Sequence, residues 1–317
     1  MYSGNDGTSS QLRTRAPFNL EATVRVLQRR PGNMVEAWEQ NRYLRVLRMS
    51  DDLVLVEVEN HGTIDEPDVR YTLRHGDPST VARRELEQTL RKVLGLDVDP
   101  IPMQRLLEAD RKLRLTALAL RGMRPPRFAE WFETFANVVP FQQVSLDAGV
   151  AIVGRLVERF GKHLKHDARR FYACPSAQAV AEARLETLRN CGLSSRKAES
   201  LRYLARAIES GELPEDTISA MNTDDALKAL VELPGLGPWS ASLVLLRGLG
   251  RLDVFPPGDV GAARGLSKLM HLGPAASLSR RIERFGANRG YLYFYALGGG
   301  LLGRGLIHTA PRSVVRR

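Results

Sequence analysis

Apolar residues fall at every second position in four stretches near the start of the chain: NLEATVRVLQR (19–29), RYLRVLRM (42–49), LVLVEVE (53–59) and VRYTLR (69–74). A two-residue repeat is the period of a strand with one buried face. RRPGN and RMSDD supply turns between the runs. The pattern predicts an antiparallel sheet covered on one side. In STVARRELEQTLRKVLGL (79–96) the spacing changes to three and four, which predicts a helix capped by Ser79 or Thr80. RGMRPPRF (121–128) is a proline- and arginine-rich connection. Beyond it the period stays helical, with helices expected near 129–138, 143–160, 176–189, 194–209, 223–231, 239–248, 259–270, 278–285 and 289–298. The fold class expected is α+β, mostly α. Residues 1–16 read as a disordered polar tail, 17–121 as an N-terminal α/β unit built on the antiparallel sheet, and 122–317 as an all-α unit.

No apolar run approaches the ~20 residues that span a bilayer. The opening MYSGNDGTSSQLRTRAP lacks the apolar core of a secretion signal. A cytoplasmic monomer with no membrane contact is expected. The two cysteines, Cys174 and Cys191, fall short of the four ligands of a zinc ribbon or an iron–sulfur cluster. His163 and His166 in GKHLKH stand three apart on an expected surface helix, with no pattern nearby that completes a metal site. Charge adds more. The chain carries 46 Lys and Arg against 36 Asp and Glu, a formal net charge of +10. From Val260 to Arg317 ten basic residues face one acid, Glu283, so nearly all the excess lies in the last fifth. Such a region suits an anionic partner such as nucleic acid, or is a solvated face.

LPGLGPWSA (233–241) is the most unusual stretch. The helix before it has Thr223 as its expected cap and two acids in its first turn, and it stops at Pro234. Gly235 and Gly237 permit backbone angles that a Cβ forbids. Pro238 presets the first turn of the next helix. The amides at 235–239 then lack intrahelical partners and suit a phosphate oxygen; a plain turn between packed helices is the alternative. Downstream, DVFPPGD brings a stiff loop to Asp259. Asp259 reads as a helix cap or as a carboxylate aimed into a cleft beside the hairpin. Asp253, before the prolines, reads as a turn residue.

Three blocks together resemble the helix-hairpin-helix DNA glycosylases of the AlkA type (3-methyladenine DNA glycosylase II). They are PFQQVSLDAGVAIVGRLVERFG (140–161), LRNCGLSSRKAESLRYLARAI (188–208) and LVELPGLGPWSASLVLLRGLGRLDVFPPGD (230–259). PFNLEATVRVLQRRPGNMVEAWE resembles the start of their sheet domain, so the likeness runs over about residues 17–300.

The resemblance implies an enzyme that flips a damaged base out of duplex DNA and cuts its glycosidic bond. Gln143 matches the wedge that enters the duplex. Asp259 matches the carboxylate that stabilises an oxocarbenium-like sugar. Gly235, Gly237, Pro238, Trp239 and Ser240 match the phosphate-gripping hairpin, with Lys268, Arg289 and Arg304 as further backbone contacts. In bifunctional relatives the position of Trp239 is a lysine whose amine attacks the sugar. Tryptophan cannot do this, so base removal alone is implied, leaving an abasic site. Trp239, Phe141, Phe128 and Tyr291 are the pocket candidates, Trp239 by stacking on a cationic base or else as packing between the hairpin helices. Tyr293, Phe294 and Tyr295, on the same helix as Tyr291, are further candidates for a pocket aromatic, although two faces of that helix must be core. Where the AlkA pattern has further aromatics, this chain has Leu243, Val260 and Leu297. The implied substrates are alkylated bases of the 3-methyladenine and 7-methylguanine type in double-stranded DNA. The alternatives are deaminated bases (hypoxanthine, uracil) or a non-catalytic protein that binds DNA lesions. No cofactor is required, although relatives place Na+ or K+ at carbonyls matching Val231, Leu233 and Gly235.

Overall fold

A computed structural model describes residues 9–49, 52–76, 79–272 and 277–308. Seven strands and fifteen α-helices make up the described residues. The main sheet is formed by β1 (Ser10–Gln11), β2 (Ala37–Glu39), β3 (Arg42–Met49), β4 (Asp52–Asn60) and β5 (Val69–His75), in the order β1-β5-β4-β3-β2 and antiparallel throughout. A second, two-stranded sheet pairs β6 (His163–His166) with β7 (Arg169–Tyr172).

The helices of the first half are α1 (Leu20–Gln28), α2 (Thr80–Val93), α3 (Ile101–Ala109) and α4 (Arg114–Ala119). Then follow α5 (Trp131–Ala136), α6 (Leu146–Phe160), α7 (Ala177–Ala181), α8 (Leu185–Asn190), α9 (Ser195–Glu209), α10 (Glu215–Ala220) and α11 (Thr223–Val231). The last are α12 (Pro238–Val244), α13 (Val260–Leu269), α14 (Leu278–Glu283) and α15 (Tyr291–Leu302). The fold is α+β and mostly helical.

The first expected strand, 19–29, is a helix. The Asn19 side chain accepts from the Ala22 amide at 2.9 Å and starts α1. Two residues advance about 200° around a helix, so alternate residues fall on opposite faces. Leu20, Val24 and Leu27 pack on the sheet, while Ala22 and Val26 enter the helical core. A helix buried on two sides thus carries the repeat of a strand.

Residues 10–12 are not tail: β1 pairs with β5, and Leu12 is buried in the sheet cluster. Residues 1–8 lie outside the described residues. Both faces of the sheet centre are covered. Leu47, Val54 and Val56 face α1 and α2; Leu44, Val46 and Leu55 face Phe171 on β7. His163 and His166 therefore lie on a strand, not a helix. Asp167 and Ala168 turn the hairpin at φ 47° and 61°, the two-residue turn that right-twisted strands favour. The expected helix at 176–189 is broken into α7 and α8, and α3, α4 and α10 have no counterpart in the sequence reading.

The boundary near residue 122 does not separate two cores. Met103, Leu107, Leu113 and Ala117 from α3 and α4 belong to the helical cluster, and Phe128 belongs to the sheet cluster. A buried charged group also crosses it. Arg45 on β3 pairs with Glu36, and with Glu133 on α5 at 2.5 Å. The Tyr43 hydroxyl donates to the other oxygen of Glu36. Burial alone would lower the Arg45 guanidinium, but Glu133 and Glu36 outweigh it and hold it well above its ordinary value.

Candidate active site

The turn between α11 and α12 is set by its glycines in two different ways. Gly235 sits at φ 82°, and a Cβ there would stand 2.5 Å from the Ser200 hydroxyl oxygen. That hydroxyl donates to the Pro234 carbonyl at 2.7 Å and fixes the turn to α9. Gly237 is the N-cap of α12, with open space where a Cβ would go. The Leu236 amide is spent on the Leu233 carbonyl at 3.1 Å, contrary to expectation. The amides of Gly235, Gly237 and Trp239 donate to no acceptor among the described residues. Asn222, not Thr223, caps α11; the Thr223 hydroxyl donates to Asp253 at 2.6 Å. Asp253 thus holds a turn, as its position suggested.

Beside the hairpin lies a cleft of about 810 Å³. Asp259 lines it as the N-cap of α13, and its two oxygens do different work. Oδ1 accepts from the Ala262 amide at 2.7 Å, and Oδ2 accepts from the Trp239 indole N–H at 2.9 Å. Cap and cleft carboxylate, which read as alternatives in sequence, are one residue. Capping fixes the side chain, the indole fixes its outer oxygen, and Pro256 is buried beneath the approach.

The opposite wall begins with Phe141. Gly149 on α6 makes room for it, since a Cβ there would stand 2.2 Å from the ring. Gln143 follows at φ 52°, exposed at the cleft. Its neighbour Gln142 reaches across to the hairpin, donating to the Gly235 carbonyl at 2.8 Å and to Ser240 Oγ at 2.9 Å. The Lys197 ammonium donates to the carbonyls of Pro140 (3.1 Å) and Gln142 (2.6 Å), and burial lowers its pKa. The loop that carries Gln143 is thereby tied to both α9 and the hairpin.

The cleft gathers Asp259, Trp239, Phe141, Gln143, Gly235, Gly237 and Ser240. Two pocket candidates fall elsewhere. The Tyr291 hydroxyl donates to the Met123 carbonyl at 3.2 Å inside the core, so its ring points away from the cleft. Phe128 is buried under Arg247. From α15 it is Tyr293 and Leu297 that line the cleft; along a helix, Tyr291 and Tyr293 face about 200° apart. Lys268 is exposed on α13 and Arg304 lies beyond α15, while Arg289 donates through Nε to the Asp253 carbonyl. None of the three lines the cleft. Arg312, Arg316 and Arg317 lie outside the described residues. The carbonyls read as cation ligands are partly engaged: Leu233 accepts from Leu236, and Gly235 from Gln142. Arg29, Gln142 and Lys197 are cleft residues that the sequence did not single out. Gln142 and Lys197 lie within the Gln-Gln and Arg-Lys motifs, whereas Arg29 carried no signal.

A hairpin with free amides and a flanking carboxylate around one cleft give this chain the layout of a helix-hairpin-helix protein. The family model for HhH-GPD superfamily base excision DNA repair protein matches residues 137–285, and that for the AlkA N-terminal domain matches residues 9–130. The chain belongs to the helix-hairpin-helix DNA glycosylases of the AlkA type. It is 26% identical over 257 residues to a DNA-3-methyladenine glycosylase of Bacillus subtilis, covering 80% of this chain and 84% of that protein. The 3-methyladenine DNA-glycosylase from Archaeoglobus fulgidus superposes with a TM-score of 0.74 at 26% identity, over 97% of this chain and all (100%) of that one. The 8-oxoguanine glycosylase/lyase of Clostridium acetobutylicum shares the fold, with a TM-score of 0.70 at 18% identity, over 95% and 99% of the chains.

Proposed function

We propose that this chain is a monofunctional DNA glycosylase that removes alkylated bases, of the 3-methyladenine and 7-methylguanine type, from double-stranded DNA and leaves an abasic site for base-excision repair. The free amides of Gly235, Gly237 and Trp239 grip a backbone phosphate at the N-terminus of α12. Gln143, held by the tied loop, fills the gap left by the flipped nucleotide. Asp259 stabilises the positive charge that grows on the sugar as the glycosidic bond breaks, and it can orient the water that completes hydrolysis. An N-alkylated cationic base leaves without a general acid, so one carboxylate suffices. No step needs a cofactor.

The same geometry supports base removal without strand cleavage. Trp239 occupies the position from which a lysine would attack, and its N–H is turned to Asp259. Among the described residues the one lysine lining the cleft, Lys197, is committed to two backbone carbonyls.

The observation that carries the reading is the Asp259 carboxylate, fixed through one oxygen by Ala262 and through the other by Trp239. A pure DNA-binding module has no use for it. Asp259→Asn is expected to abolish base release from methylated duplex DNA while binding to that DNA stays close to wild type. Undiminished release would overturn the mechanism. Borohydride is expected to trap no covalent complex with abasic DNA; a trapped complex would show lyase chemistry. The partner DNA should be held less tightly as salt rises, because phosphate contacts release counterions.

A further inference from the structure

The inner wall of the cleft comes from the far end of the chain. Arg29 terminates α1 at φ 62°, in a region that residues with a Cβ rarely adopt. The residue is only 7% exposed, yet it lines the cleft. Its guanidinium carbon lies 4.6 Å from the centroid of Phe141 and 5.9 Å from that of Phe128. The guanidinium has no hydrogen bond or ion pair among the described residues. The next residue, Arg30, differs: it donates to Asp147 at 2.6 Å.

Behind Arg29 a second cation shares the Phe128 ring. Arg247 is fully buried, 4.7 Å from Phe128 and 5.5 Å from Phe294. None of its three nitrogens meets a hydrogen-bond partner among the described residues. The carboxylates of Glu36 and Glu133 act on it from a distance, but both are bonded to Arg45. At Arg29 and Arg247 the wall is therefore donor-rich and positive. Buried donors are costly until they are satisfied. The Arg29 guanidinium opens onto the cleft and can donate to a group that enters it.

We propose that Arg29 is a specificity-determining residue that donates to an oxo group on the flipped base. Resting on the glycosylase reading above, this makes oxo-purines (hypoxanthine, and alkylated guanine through its O6) the favoured class over 3-methyladenine. An adenine carries an amino group at the same edge, and two donors cannot bond. A cationic base without an oxo group also meets the charge of Arg29 and Arg247. A site built to bond one group discriminates strongly against the analogue that lacks it.

The test is single-turnover release of hypoxanthine, 7-methylguanine and 3-methyladenine from three otherwise identical duplexes, by wild type, Arg29→Met and Arg29→Lys, with the melting temperature of each protein. Wild type is expected to release the oxo-purines faster, relative to their uncatalysed rates, than 3-methyladenine. Arg29→Met should lose on the order of tenfold or more on both oxo-purines and keep or gain rate on 3-methyladenine. Arg29→Lys keeps the charge without the planar fork and should move the ratio the same way, which serves the test if the methionine variant does not fold. Equal losses on all three bases, or an unchanged ratio in both variants, would overturn the role of Arg29 and leave the glycosylase reading standing. A wild-type protein that releases none of the three would remove both.

Discussion

Two arginines deep in this protein sit in opposite surroundings. Arg45, at the seam between sheet and helices, is bonded to Glu36 and Glu133, and Tyr43 completes the group. Arg247 lies behind the cleft between two aromatic rings, with no hydrogen-bond partner for any nitrogen among the described residues. Both are fully buried, yet their proton affinities move apart. Arg45 rises well above its ordinary value, while burial, with Arg29 adding to it, pushes Arg247 far below its ordinary value, to about 9. A charge paired through both terminal nitrogens is a structural joint. A charge left unpaired costs stability, and the place where this protein tolerates the cost adjoins its site.

The largest effect should come from breaking the joint. Arg45→Met leaves two carboxylates buried without their cation, and it is expected to destabilise by about 3–5 kcal/mol in urea unfolding. A loss below about 1 kcal/mol would show that the group contributes little net stability. Next comes Tyr43→Phe, which strips one donor from Glu36 and should cost about 2 kcal/mol in the same assay.

The smallest effect should have the opposite sign. Arg247→Met removes an unpaired buried charge, loses some ring contact, and should stabilise by about 1 kcal/mol at pH 7. The folded pKa of Arg247 lies below the unfolded one. Folding therefore expels its proton between the two, and wild type regains stability there as pH rises. The advantage of the variant should be full below about pH 9 and shrink above it. A variant less stable than wild type at pH 7 would mean that the cation–π contacts outweigh desolvation, and the contrast with Arg45 would fail.

The part of the site that depends on neighbours in sequence was legible. Pro-Gly-x-Gly-Pro dictates a tight turn into a helix, and a Pro-Pro-Gly-Asp loop dictates a rigid approach to a cap. What the sequence could not show is that Asp259 would cap with one oxygen and bind Trp239 with the other. That needs an indole twenty positions earlier to come within 2.9 Å. Tyr291 and Tyr293 were equivalent candidates as letters, and only the packing of α15 against Met123 sends one inward and the other to the cleft. The misread α1 has the same root, since alternation cannot distinguish one buried face of a strand from two buried faces of a helix.

By itself, then, the sequence determined the likeness to the glycosylase class, the hairpin, the catalytic candidate and the tryptophan at position 239. The hairpin and the cap follow from backbone propensity and capping, which act over a few residues; the class and the meaning of the tryptophan follow from the likeness of the motifs to the family. Only the tertiary structure decided which aromatics face the cleft, that Gln142 and Lys197 hold the wedge loop, and that Arg29 closes the back wall. Those depend on surfaces brought together from opposite ends of the chain, where burial and packing, not local preference, set each side chain's direction.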